Sequence, residues 1–351
     1  MLNKKDLKTM KSGIVCAGNW VIDKVKLIDR FPEEGTLCNI SSQIRSTGGG
    51  PANVSFDIAA MDPALPLFAA GRIGKDEDGQ FVLDEIKARN IDSKYMIFDP
   101  ALPTSYTDVM SGNGKRTFFH CRGACSEYGF EDVRTIDAPA KFFYLAYLLL
   151  LEKMDRADAE YGTEAARTLD YMQKKGYKTV VDFVSDAPEK FRAVVMPALP
   201  YIDILIVNEI ECASCSGIEL RKSDGTLNYA NLPAAVDFLL ENGVRETAVI
   251  HFPEGAAGKQ KNGEFIYRPS CDIKKEEIVG STGAGDAFAA GVIYALHQEW
   301  DLASAMELGG ASSNFNLRSA TATGGAVSLE KMQEFLKNCA YTEIPAEFAG
   351  K

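Results

Sequence analysis

The stretch Ile278-Val279-Gly280-Ser281-Thr282-Gly283-Ala284-Gly285-Asp286-Ala287-Phe288-Ala289-Ala290-Gly291 organises the reading of this chain. It predicts a short strand, a tight glycine turn and the start of a wholly apolar helix. Gly283, Ala284 and Gly285 carry little or no side chain, so their backbone N–H groups can close on an anion. A helix N-terminus leaves those donors unpaired and adds the positive end of the macrodipole. Asp286 follows in the first turn, where a carboxylate is electrostatically favoured and can reach whatever the cradle holds. A cradle beside a carboxylate base is a device for moving a phosphoryl group to an alcohol. The same residues also fit a glycine turn whose Asp merely stabilises its own helix.

Composition narrows the setting. A chain of 351 residues buries enough surface to need no disulfide or metal staple. Hydrophobic content of 46% and charged content of 25% are ordinary for a soluble globular protein. The net charge of −11 argues against nucleic acid or an anionic membrane as partner. It also repels a nucleotide overall, so binding one requires local N–H donors and a divalent cation. The eight cysteines include Cys212-x-x-Cys215 and Cys121-x-x-x-Cys125, but neither pair has the second half of a zinc site. Reduced thiols in a cytoplasmic protein are the expectation. Residues 1–12 are Lys-rich without an apolar signal-peptide core, which predicts a flexible leader. The longest apolar run, Phe142 to Leu151, is half the length that crosses a bilayer.

Ile14 to Gly18 has the look of a buried strand, and Val21 to Ile28 and Leu37 to Arg45 alternate as half-wet strands do. Thr47-Gly48-Gly49-Gly50-Pro51 breaks the pattern, and Pro51 starts a helix that runs to Met61 with Asn53 in its first turn. Leu67 to Ala70 predicts a strand, Gly71-Arg72-Ile73-Gly74 a turn, and Asp78 to Arg89 a helix. Ser105 to Met110 and Arg116 to His120 form a hairpin across Ser111-Gly112-Asn113-Gly114. From Phe142 onward, apolar strands alternate with helices near 157–175, 188–198, 232–241, 302–315 and 329–338. Such βα repetition predicts one α/β domain over 13–340 with a mostly parallel sheet. A small β appendage occupies about 20–46 and 104–121, and 341–351 is a tail.

Asn208-Glu209-Ile210-Glu211 stands at the C-terminal end of a predicted strand, where open α/β sheets bind ligands. Glu211 could hold water on Mg²⁺, and Asn208 could position metal or phosphate. A plain helix cap with an acidic first turn fits as well.

Together these segments resemble the ribokinase-like (pfkB) carbohydrate kinases. Gly48-Gly49-Gly50-Pro51-Ala52-Asn53, with Gly71-Arg72-Ile73-Gly74-Lys75-Asp76 and Gly79, is similar to that family's N-terminal signature. Thr282-Gly283-Ala284-Gly285-Asp286 is similar to its C-terminal signature, and Asn208-x-x-Glu211 to its Asn-x-x-Glu element. The resemblance implies a three-layer sandwich with a mostly parallel central sheet, flanking helices and a small β-sheet lid. It implies transfer of the γ-phosphoryl group of ATP to a primary hydroxyl of a sugar. Asp286 would be the base, and Gly283, Ala284 and Gly285 the anion hole. Glu211 would organise Mg²⁺, with Asn208 and Thr282 near the nucleotide. Asp23, Gly49, Gly50 and Asn53 would contact the sugar, the glycines also serving as a hinge. A monovalent cation such as K⁺, near Ser319 to Gly325, and a homodimer are further implications. His251-Phe252-Pro253-Glu254-Gly255-Ala256 departs from the family's Thr-x-Gly segment, which touches nucleotide phosphate. Two other readings stay open: a nucleoside kinase of the same fold, with Trp20, Phe118 or Phe119 against a base, and a catalytically silent sugar-binding regulator.

Overall fold

Ile14, Val15, Cys16 and Ala17 point alternately to opposite faces of one strand, yet all four are fully buried. A strand with no wet face must be covered on both sides. The computed structural model, which describes residues 12–112 and 115–348, shows that cover. Most of the expected leader lies outside the described residues, as do Asn113 and Gly114 of the expected hairpin turn. The central sheet has nine strands in the order Phe265–Pro269, Gly255–Gln260, Thr247–Phe252, Ile204–Asn208, Lys178–Phe183, Ala140–Leu148, Gly13–Gly18, Leu67–Gly74 and Asp92–Asp99. Every pairing from Thr247–Phe252 to Asp92–Asp99 is parallel, and the two strands at the other edge run as an antiparallel hairpin.

One core joins Val15, Phe143, Leu145 and Val181 to the helices Glu164–Lys174 and Leu232–Glu241. The opposite core joins Ile14, Cys16, Phe142 and Val180 to Gly50–Met61, Ala284–His297 and Leu302–Asn316. The result is the expected three-layer sandwich. A separate four-stranded sheet orders as Ile40–Gly48, Val21–Ile28, Tyr106–Gly112 and Lys115–Cys121. Its base is latched by Asp76, which caps the helix Glu77–Ala88 and also accepts from the Thr104 amide at 2.8 Å.

Several local expectations are revised. Gly71-Arg72-Ile73-Gly74 is no turn: the strand runs through it, and the bare Cα of Gly71 lets the Trp20 ring pack where a Cβ would sit 2.4 Å from it. The strand expected from Leu37 starts at Ile40 and continues to Gly48. The helix expected from Ala157 starts only at Glu164, capped by Thr163, because residues 157–163 form a short antiparallel pair. Ile278 and Val279 form no strand; the Val279 amide donates to Leu317 O at 2.8 Å instead. The hairpin of Gly255–Gln260 and Phe265–Pro269 went unread, since Gly-Ala-Ala-Gly-Lys-Gln shows no apolar alternation.

Candidate active site

The parallel strands end on one side of the sheet, and strand order reverses around Gly13–Gly18, whose neighbours are Ala140–Leu148 and Leu67–Gly74. Open α/β sheets bind ligands at such a switch point. Five strand ends converge there: Gly18 and Asn19, Tyr147, Asp182, Asn208 and His251. The helix Ala284–His297 aims its N-terminus at the same place. Its N-cap, Gly283, holds φ at 79°, and a Cβ there would lie 2.6 Å from Ala322 O. Only glycine makes this left-handed turn without strain. The amides of Gly283, Gly285 and Asp286 have no acceptor among the described residues, and that of Ala284 reaches Ser281 O at 3.3 Å. These donors are what an anion cradle requires.

Asp286 is 8% exposed. Its Oδ2 accepts from Asn53 Nδ2 at 2.8 Å and its Oδ1 from the Tyr147 hydroxyl at 2.5 Å. Burial raises its pKa above the ordinary carboxylate value, while those two donors hold it down in part. Tyr147 went unrecognised in the sequence, where it is one aromatic in the run Phe142 to Leu151. Asn53 sits in the first turn of Gly50–Met61, and its Oδ1 is buried without a partner. Gly50 lets the Tyr147 ring approach, a Cβ there falling 3.1 Å from Tyr147 Cε1. Gly49, at φ 85°, lies against the Asn19 carbonyl. Asp23, on Val21–Ile28, rests against the backbone of Gly48. Burial and the Asp286 charge push Asp23 up to about 6. Asn53, by its bond to Asp286, and Asp23, by the Asp286 charge it feels, are thus brought near Asp286, while Gly49 and Gly50 pack against Asn19 and Tyr147.

On the far side of the cradle, a cavity of about 490 Å³ is lined by Asn208, His251, Gly285, Phe288 and Asn314. Asn208 and Glu211 form a reciprocal capping box: Asn208 Oδ1 accepts from the Glu211 amide at 2.8 Å, and Glu211 Oε2 accepts from the Asn208 amide at 3.0 Å. The plain cap reading thus holds, and the pair still borders the cavity through Asn208. Glu211 is 4% exposed, also accepts from Ser185 Oγ, and is raised to about 7, chiefly by burial. Asp182 is likewise raised by burial and by the charges of Glu211 and Asp286. Its position near a strand end was missed because the strand reads as purely structural. Buried like charges of this kind call for a cation. Among the described residues, no group of three or more His, Cys, Asp or Glu side chains can hold a metal ion. Asp182 and Glu211 fit Mg²⁺ only if phosphate oxygens and water complete its shell, which is how Mg²⁺ is usually held at phosphate sites.

The departing segment places His251 beside the cradle. Its ring tilts on Phe288 with centroids 5.0 Å apart, and a Cβ on Gly285 would meet Cε1 at 3.1 Å. Burial lowers the imidazole to about 4, so it is neutral at pH 7. Arg116, on the small sheet, donates from Nη1 to Thr282 Oγ1, bringing a cation to the cradle loop. Thr282 therefore faces the small sheet. Trp20 is excluded as a base-stacking platform: it is fully buried, with Nε1 donating to Ala70 O at 3.0 Å. Phe118 shares the Asp23 face of the small sheet by register and is 58% exposed, whereas Phe119 points to the other face.

Among the described residues, no helix is long and apolar enough to cross a membrane. The chain is similar to the ribokinase of Staphylococcus aureus (strain COL), 22% identical over 93% of this chain and 100% of that protein. It is 23% identical to adenosine kinase 2 of Arabidopsis thaliana over 84% of each chain. The structure of Arabidopsis thaliana ribokinase complexed with ribose and ATP superposes with a TM-score of 0.74 at 20% identity, covering 93% of this chain and 99% of that one. The model of the pfkB family of carbohydrate kinases matches residues 11–328. The chain belongs to that family and is a phosphotransferase with an alcohol group as acceptor.

Proposed function

We propose that this kinase transfers the γ-phosphoryl group of ATP to a primary hydroxyl of an unphosphorylated sugar. The observation that carries the reading is Asp286, a buried carboxylate in the first turn behind unpaired amides, with its pKa raised. In this reading the acceptor lies among Asp23, Gly49, Gly50 and Asn53, supported by the buried Asn53 Oδ1, which has no hydrogen-bond partner among the described residues. Asp286 takes the hydroxyl proton, and a raised pKa brings the base closer to the operating pH. The amides of Gly283, Gly285 and Asp286 stabilise charge on the migrating phosphoryl oxygens, with Arg116 adding positive charge from the small sheet. Asp182 and Glu211 would hold Mg²⁺ through water; when bound with ATP it supplies neutralisation of phosphate charge. ATP occupies the cavity beside His251 and Asn208.

The small sheet acts as a lid, its Val25, Ile44 and Phe118 excluding water that would otherwise compete as acceptor. A homodimer through this sheet belongs to the same reading, supported by the exposure of Leu27 and Phe119, and sedimentation tests it. So does a monovalent cation near residues 319–325, supported by the Ala322 carbonyl against Gly283; exchange of K⁺ for a large organic cation tests that. The central test is ADP release across a sugar panel with Asp286→Asn. Turnover is expected to fall by about 10²–10⁴ while sugar binding persists, and near-full activity would reject the role.

A further inference from the structure

Cys271 and Cys339 hold their Sγ atoms 3.6 Å apart, although 68 positions separate them in the chain. Backbone bonds set up this meeting. The Asp272 amide donates to Ala340 O at 2.8 Å and the Thr342 amide to Ser270 O at 2.9 Å, with Cys271 bridged to Tyr341 between them. A disulfide needs a sulfur separation of about 2.05 Å, so closure asks for about 1.5 Å of side-chain movement on a backbone already in place. The two thiols differ in access. Cys271 is buried, and burial and the neighbouring Cys339 push its thiol up, whereas Cys339 is partly exposed at the end of the helix Leu329–Asn338. Among the described residues, no other pair of the eight cysteines has thiols in hydrogen-bond contact. Cys271 also belongs to a cavity wall: Pro269, Ser270, Cys271 and Ile273 line the cavity beside His251, and Asn314 Nδ2 donates to Cys271 O at 3.0 Å.

We propose that Cys271 and Cys339 are a modification site that closes to a reversible disulfide with a low-molecular-weight disulfide such as oxidised glutathione, and that closure alters ATP binding. The second half rests on the reading that ATP occupies this cavity. Cys339, the accessible thiol, loses its proton to solvent and attacks one sulfur of the reagent. A protein–glutathione bond forms and one glutathione leaves as thiolate, which takes up a proton from solvent. Cys271 then loses its proton and attacks Sγ of Cys339, expelling the second glutathione, which takes up a proton. Two protein thiols are oxidised and one reagent disulfide is reduced to two thiols. The raised thiol of Cys271 makes this resolving step faster at higher pH.

The test treats the full-length protein with oxidised glutathione, alkylates the remaining thiols and maps peptides by mass spectrometry. A cross-link between the Cys271 and Cys339 peptides is expected, reversed by dithiothreitol and absent from Cys339→Ser. Glutathione retained on Cys339 without a cross-link, or cross-links confined to other cysteines, would overturn the site. Calorimetric titration with ATP then compares the reduced and bridged wild type. A change in Kd of at least about threefold, absent in Cys339→Ser treated the same way, supports coupling. A cross-link with unchanged Kd would overturn it. If the reduced protein binds no ATP, the cavity assignment fails while the cross-link result stands separately.

Discussion

Replacing Tyr147 by Phe removes one hydroxyl and leaves the ring that packs beside Gly50. That hydroxyl donates to Asp286 Oδ1 at 2.5 Å, while Asn53 holds the other oxygen. A hydrogen bond to a charged group contributes about 1.5–3 kcal/mol, and about 1.4 kcal/mol corresponds to one pKa unit. The bond stabilises the ionised carboxylate, so its loss should raise the Asp286 pKa further, by about one to two units. A base must be ionised to act. The acid limb of kcat/KM, which reports the free enzyme, should therefore move to higher pH by the same amount. Well above the limb, where Asp286 is ionised in both proteins, the variant should recover most of its activity. ADP release followed from about pH 5 to pH 9 reads this directly. A rate lowered equally at every pH, or a limb that stays in place or moves toward acid, would refute the reasoning.

Arg116→Gln removes the cation at Thr282 and should lower kcat by about 10- to 100-fold with the acceptor KM within about twofold, since Arg116 meets the cradle rather than the sugar side; steady-state kinetics decides. Glu211→Gln keeps the side-chain shape but loses the charge and one of the two oxygens that accept from Asn208, so the Mg²⁺ concentration for half-maximal rate should rise by about 10-fold or more. Gly285→Ala puts a methyl 3.1 Å from His251 Cε1 and should weaken ATP binding. The double variant with His251→Ala should restore much of that loss, and a double-mutant cycle with zero coupling would show that the two residues do not meet.

How far each part was legible follows from the distance over which it is encoded. The helix Leu329–Asn338 could be read to its end residues, because Ser328 caps it and its apolar face repeats locally. The glycine turn with its unpaired amides was legible for the same reason: glycine at 283, small residues after it and Asp286 all lie within one turn. The strand through Gly71 and Gly74 was misread because glycine signals a turn locally, while here Gly71 makes room for Trp20 and Gly74 for the backbone at Thr104, both distant in the chain. The hairpin at 255–269 has no apolar alternation to find, and its place at the sheet edge comes from pairing with Thr247–Phe252.

The sequence by itself determined the fold class, the turn that presents unpaired amides, and the carboxylate behind them, since apolar periodicity, backbone sterics and helix polarity act over a few residues. Tertiary structure alone decided that Tyr147 and Asn53 grip Asp286, that Asp182 joins Glu211, that Arg116 reaches Thr282, and that His251 flanks Gly285. Those meetings depend on the order in which strands pair across the sheet and on where the small sheet comes to rest. Long-range packing fixes both, and no local pattern carries it.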